Sequence, residues 1–124
     1  MSFSDLLSEI VNECGGGIGI ALMGADGIAI DQTMAPAPPV ALDADDVGAA
    51  GVEFGRILDE IRKASDSLGG GALGETMVRL ARFTLIFQIV DSENYLVLAI
   101  SPDGNLGKAR YLIRSRLHAL RELL

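Results

Sequence analysis

The sequence predicts an α+β domain in which a five-stranded, mostly antiparallel sheet lies between helical layers, in the order helix, two strands, long helix, three strands, helix. Three observations carry this reading. Three segments repeat apolar residues at helical spacing, and five β-type runs are separated by turn signals. Three of those runs are also apolar or small on both faces, so they need cover on both sides.

The elements follow in order. Phe3, Leu6, Leu7, Ile10 and Val11 share one helical face, and the glycines at 15, 16 and 17 stop that helix. "IGIALM" and "IAIDQT" are short strands joined by "GADG", whose Asp26-Gly27 is a hairpin signal. The Pro-rich "MAPAPPVALD" cannot continue a sheet ladder and is a surface connection. Asp43, Asp45 and Asp46 then mark a helix start, where carboxylates satisfy free N–H groups and suit the dipole; this helix runs to about Leu68. "ETMVRLAR", "FTLIFQIV" and "NYLVLAI" are three more strands, the last two separated by the turn-like "DSEN", and a helix closes the chain. Asp31 and Thr33 in one run, and Arg79 and Arg82 in another, mark those two as sheet edges; the other three are central.

Length and composition bound the function. With 124 residues the chain is a single domain spanning residues 1–124. Its apolar runs are too short to span a membrane, and its acidic start lacks the basic and apolar regions of a signal peptide, so a cytoplasmic location without membrane insertion is expected. Net charge is −7, yet nine acids and no Lys or Arg occupy residues 1–55, while all ten bases follow. Such an acidic domain, poor in aromatics, is a weak candidate for nucleic-acid binding. Cys14 stands alone, so no intramolecular disulfide forms, and it is expected to be a small buried residue.

Each motif that suggests chemistry fails on context. "CGGGIGIALMG" follows a helix and enters a strand, the reverse of a phosphate-binding loop, so it is a helix stop. "DADDVG" has the acid density of a calcium loop, but Val47 and Phe54 occupy its fifth and twelfth positions, and N-capping explains the acids. One His118 and one Cys14 cannot build a conventional metal shell or a nucleophilic triad, and adjacent acids such as Asp59 and Glu60 point apart on a helix. No catalytic, cofactor or metal site is expected.

Two helices carry further patterns. On the middle helix, Val47, Ala50, Phe54, Ile57, Leu58, Ile61 and Leu68 form the expected core stripe. Gly48, Val52 and Gly55, continuing into Asp59 and Arg62, make a second line, although each mid-helix glycine costs about 1 kcal/mol relative to Ala. Either a second helix approaches there, with Asp59 meeting Arg62 of a two-fold partner, or a loop of the same chain packs tightly. On the closing helix, Leu106, Ala109, Ile113, Leu117, Leu120 and Leu124 form the expected core face, and Arg110, Arg114 and Arg121 fall within about 40° of one another. That arginine stripe is either a solvated face or a basic partner surface.

Taken together, "GIGIALMGADGIAIDQ" resembles the first hairpin of roadblock domains, the family of the dynein light chain roadblock proteins. "LVLAISPDGNLGKARYLIRSRLHAL" resembles their last strand and closing helix, with "SPDGNLGKAR" the more specific part. The resemblance spans nearly the whole chain, and the bacterial small-GTPase regulators of cell polarity are its nearest branch. It implies a roadblock/profilin-like fold and a homodimer, or a heterodimer with a second roadblock protein, in which middle helices pair and sheets join edge to edge. That adds Val78 and Leu80 to the implied interface. It also implies a platform for a small Ras-like GTPase that raises hydrolysis by arranging the GTPase's own groups, with Arg56, Glu53 and Lys63 facing the partner. The alternative is a structural adaptor that joins a larger complex without changing GTP turnover. The sequence closes on its last helix, without the C-terminal extension that some polarity regulators carry.

Overall fold

The computed structural model describes every residue, Met1–Leu124. Eight elements follow the expected order: α1 (Phe3–Glu13), β1 (Gly17–Gly24), β2 (Ala29–Met34), α2 (Ala44–Leu68), β3 (Glu75–Arg79), β4 (Thr84–Ile89), β5 (Asn94–Ile100) and α3 (Leu106–Leu123). The strands form one antiparallel sheet in the order β2-β1-β5-β4-β3. The three runs apolar on both faces are therefore central, and the two carrying charges are the edges.

Local chemistry sets the element ends. Ser2 and Asp5 form a capping box at the start of α1, and the backbone N–H of Ser2 at the Asp5 carboxylate holds that acid below its usual range. After α1, Gly15 and Gly16 turn through φ of +77° and +87°. Their carbonyls then accept the backbone N–H groups of Asn105 at 3.0 Å and Ser101 at 2.8 Å. A Cβ on Gly17 would run into the carbonyl oxygen of Val11, and one on Gly16 into Ser101. The two glycine motifs therefore meet each other, locking the exit of α1 to the entry of α3. Asp43 and Asp46 cap α2 reciprocally at 2.9 and 3.1 Å, which accounts for the acids of "DADD".

Helices cover the two faces unequally. On one face α1 and α3 lie side by side over Ile20, Leu22, Ile86, Leu96 and Leu98, burying Leu7, Ile10, Ile113 and Leu120. Arg116 of α3 ties them, reaching Glu9 at 3.2 Å and Glu13 at 3.4 Å on α1. On the other face α2 lies alone over Ile18, Ala21, Met23, Phe87 and Val97, burying Val47 and Leu58. At about 1.5 Å per residue, α2 is longer than any strand beneath it and overhangs the sheet at its C-terminal end. No helix is long and apolar enough to cross a membrane.

The buried stripes differ from expectation in three places. On α2 the covered positions are Val47, Gly51 and Leu58, with Ala50, Phe54 and Ile61 half-buried, whereas Ile57 is 51% and Leu68 84% exposed. Ile57 turns away from the sheet and Leu68 lies on the overhang. On α3, Leu112 is buried in place of the expected Leu124. Strand β3 ends at Arg79; Leu80 and Arg82 sit in the turn that closes when the Leu80 N–H donates to the Phe83 carbonyl at 2.9 Å.

One contact fixes α2 on its sheet. The Tyr95 hydroxyl of β5 donates to the Gly51 carbonyl at 2.8 Å, and a Cβ at Gly55 would stand 2.5 Å from that hydroxyl. Helix propensity alone favours Gly55→Ala by about 1 kcal/mol, but forcing the ring aside costs about 1–3 kcal/mol. Denaturant unfolding should therefore show Gly55→Ala destabilising in the native background and neutral or stabilising in a Tyr95→Phe background. Burial, reinforced by Asp59 and Asp26 against the opposing Arg62, raises the Tyr95 pKa above its ordinary value of 10.0. Its stabilisation is complete below that value and lost as pH rises through the higher folded one. Alkaline melting curves should accordingly flatten in Tyr95→Phe.

Candidate functional site

Because α2 stands alone on its face, the three sides it turns away from the sheet are where a partner could find room. The side toward the first hairpin is filled from within the chain. Val52 faces Gly27 of the hairpin turn, Gly48 faces Gln32, and Gly55 lies under Tyr95. Asp59 and Arg62 pair with each other at 3.2 Å along the helix. A pocket of about 260 Å³ remains, lined by Asp26, Gly27, Val52, Arg62 and Tyr95 among others. The line Gly48, Val52 and Gly55 thus has an in-chain reason, most clearly at Gly55. Within the chain the close approach it permits is that of Tyr95, the second of the two arrangements the sequence leaves open.

The outward side carries Glu53, Arg56, Glu60 and Lys63, all exposed. Arg56 stands 3.9 Å from Glu53 and Lys63 3.2 Å from Glu60. Such exposed pairs are worth about 0–1 kcal/mol, so these four side chains are free to exchange partners.

The side toward β3 is apolar and open. The Phe54 ring packs on Phe87 of β4, with centroids 5.6 Å apart, and places this flank over the β4 and β3 end of the sheet. Ile57 and Leu68 lie roughly 60–100° around the helix from the buried Val47 and Leu58. Half-buried Val78, Phe83 and Ile89 line the same face of the sheet. Strand β3 pairs only with β4, so its other edge presents unpaired backbone groups. The sequence reading missed this flank because it merged Ile57 and Leu68 with the core. The apolar arc of α2, about 100° wide, is that of an ordinary core-facing helix and carries no signal of an open flank.

Two arginines of the α3 stripe have partners within the chain. Arg110 binds Glu75 of β3 at 2.7 Å, and Arg121 donates to the Val90 carbonyl at 2.6 Å. Arg114 is exposed. Cys14 is buried beneath the end of α1, and desolvation pushes its thiol pKa up.

No protein-family model matches the chain, and no curated protein sequence matches it significantly. Solved structures do. It is similar to MglC from Myxococcus xanthus, 32% identical, with a TM-score of 0.69 and 100% of both chains covered. A Roadblock/LC7 domain from Streptomyces avermitilis superposes with a TM-score of 0.83 at 17% identity, covering 98% of this chain and 97% of that one. The gliding protein mglB from Thermus thermophilus gives 0.83 at 17% identity, covering 97% and 86%. With its element order, sheet topology and this full-length likeness to MglC together, the chain belongs to the roadblock domain family.

Proposed function

We propose that the chain is a dimeric platform that binds a small Ras-like GTPase and stimulates its GTP hydrolysis. The observation that carries this reading is the apolar flank of α2 beside the unpaired edge of β3. A second copy covers both at once, by adding its own β3 to the edge and laying its α2 against the first, a self-complementary arrangement about a two-fold axis. Phe54, Ile57, Ile61 and Val78 then form the interface, in place of Gly48, Val52, Gly55, Asp59 and Arg62. Leu80, in the turn beyond the strand, flanks it.

Pairing the two α2 helices sets their outward sides together as one surface bearing Glu53, Arg56 and Lys63. A GTPase docked there has its own catalytic groups positioned by contact, so acceleration comes from orientation and electrostatics in the partner. A second reading, a structural adaptor that leaves GTP turnover unchanged, is favoured by one observation. Each base on that surface already has an acid neighbour, Arg56 with Glu53 and Lys63 with Glu60.

Two measurements check these readings. Sedimentation of the purified protein should give a dimer, and Ile57→Glu, which would bury a charge at the interface, should weaken it about a hundredfold or more while the fold is kept. GTP hydrolysis by a small GTPase from the same organism should accelerate on addition of the native protein. Arg56→Ala should change that acceleration less than about tenfold, since loss of a directly inserted arginine costs about 10³. Co-elution without acceleration establishes the adaptor instead.

A further inference from the structure

The sheet has a second open edge, β2, on the acidic half of the molecule. Beside it the turns that end the two hairpins touch: the Ala25 N–H donates to the Glu93 carbonyl at 2.7 Å. Between them lies a groove of about 450 Å³ lined by Ala25, Asp26, Ile28, Ala29, Ile30 and Glu93. Ile28 is 67% and Ile30 45% exposed, and the Asp26 and Glu93 carboxylates make no ion pair within the chain. The edge itself is blunted, because the Gln32 N–H is taken by the Asp31 carboxylate at 2.8 Å. Contact here is therefore made by side chains in the groove and not by an added strand.

The matching surface is on the same chain. In the turn from β3 to β4, "RLAR" presents Leu80, 42% exposed, between Arg79 and Arg82, both exposed and neither in an ion pair. One aliphatic side chain between two guanidinium groups is the complement of an aliphatic groove between two carboxylates. The turn and the groove lie at opposite ends of the strands and at opposite edges of the sheet, so one molecule cannot join them.

We propose that the groove at Ile28 and Ile30 receives the Leu80 turn of a second copy, with Arg82 facing Asp26 and Arg79 facing Glu93. This contact is head to tail, so it links protomers or dimers into rings or open chains, unlike a two-fold pairing that closes on itself. The net charge of −7 opposes approach at long range, but that repulsion fades beyond about 8 Å at physiological salt, whereas the contact pairs opposite charges directly.

The test is the mass distribution of the full-length protein by analytical ultracentrifugation up to near-millimolar concentration. Species larger than the basal monomer or dimer are expected to grow with concentration. Asp26→Lys and Arg82→Glu, each on an exposed position, should weaken that growth about tenfold, a contact change of about 1.4 kcal/mol. The double variant, in which the introduced lysine of one copy meets the introduced glutamate of the next, should restore it. Ile28→Ser should weaken growth without touching any charge. Absence of larger species in the native protein, indifference to the single variants, or failure of the double variant to recover overturns the contact. The basal species is recorded in the same runs, so failure of the two-fold dimer is distinguishable.

Discussion

Three central strands that are apolar on both faces impose the constraint on which the rest of the molecule depends. β1, β4 and β5 cannot be left bare on either side, and the chain has only three helices of useful length with which to cover them. Two helices close one face and one is left for the other. That unequal division leaves α2 with open flanks and an overhanging end, and it exposes β3 beside it. The surface available for assembly is thus a consequence of how the core is closed.

Two joints make this arrangement rigid. At one end of the sheet the loop before α3 donates two backbone hydrogen bonds to the loop before β1, where Gly16 and Gly17 have no room for a side chain. At the other, Tyr95 bonds a carbonyl in the middle of α2 and requires Gly55 beside it. The backbone of α2 is held to β5 by the Tyr95 hydroxyl, while its outward side chains remain free to exchange partners.

Most of the fold was legible in the sequence because periodicity and turn chemistry report burial directly. The charged edges, the glycine stop after α1 and the acids at the start of α2 each had a local physical reason that the structure bears out. The site was less legible. Gly55 correctly signalled a close approach, but sequence cannot say whether the approaching group is a tyrosine forty residues away or another helix. Ile57 and Leu68 fit the apolar arc of α2, and only their exposure in the folded chain shows them to be uncovered. Arg110 and Arg121 lie in an obvious stripe, yet their partners, Glu75 and the Val90 carbonyl, are brought beside them by tertiary structure alone. In each case the residue was visible and its neighbour was not.

Backbone hydrogen exchange along β3, followed as protein concentration is varied, tests the central claim most directly. If the β3 edge and the α2 flank form a shared interface, the edge amides of Glu75–Arg79 and those of the overhanging end of α2 are protected in concentrated protein. They lose that protection together on dilution. Edge amides that exchange as freely as an open strand at every concentration, while α2 and β4 remain protected, would contradict it.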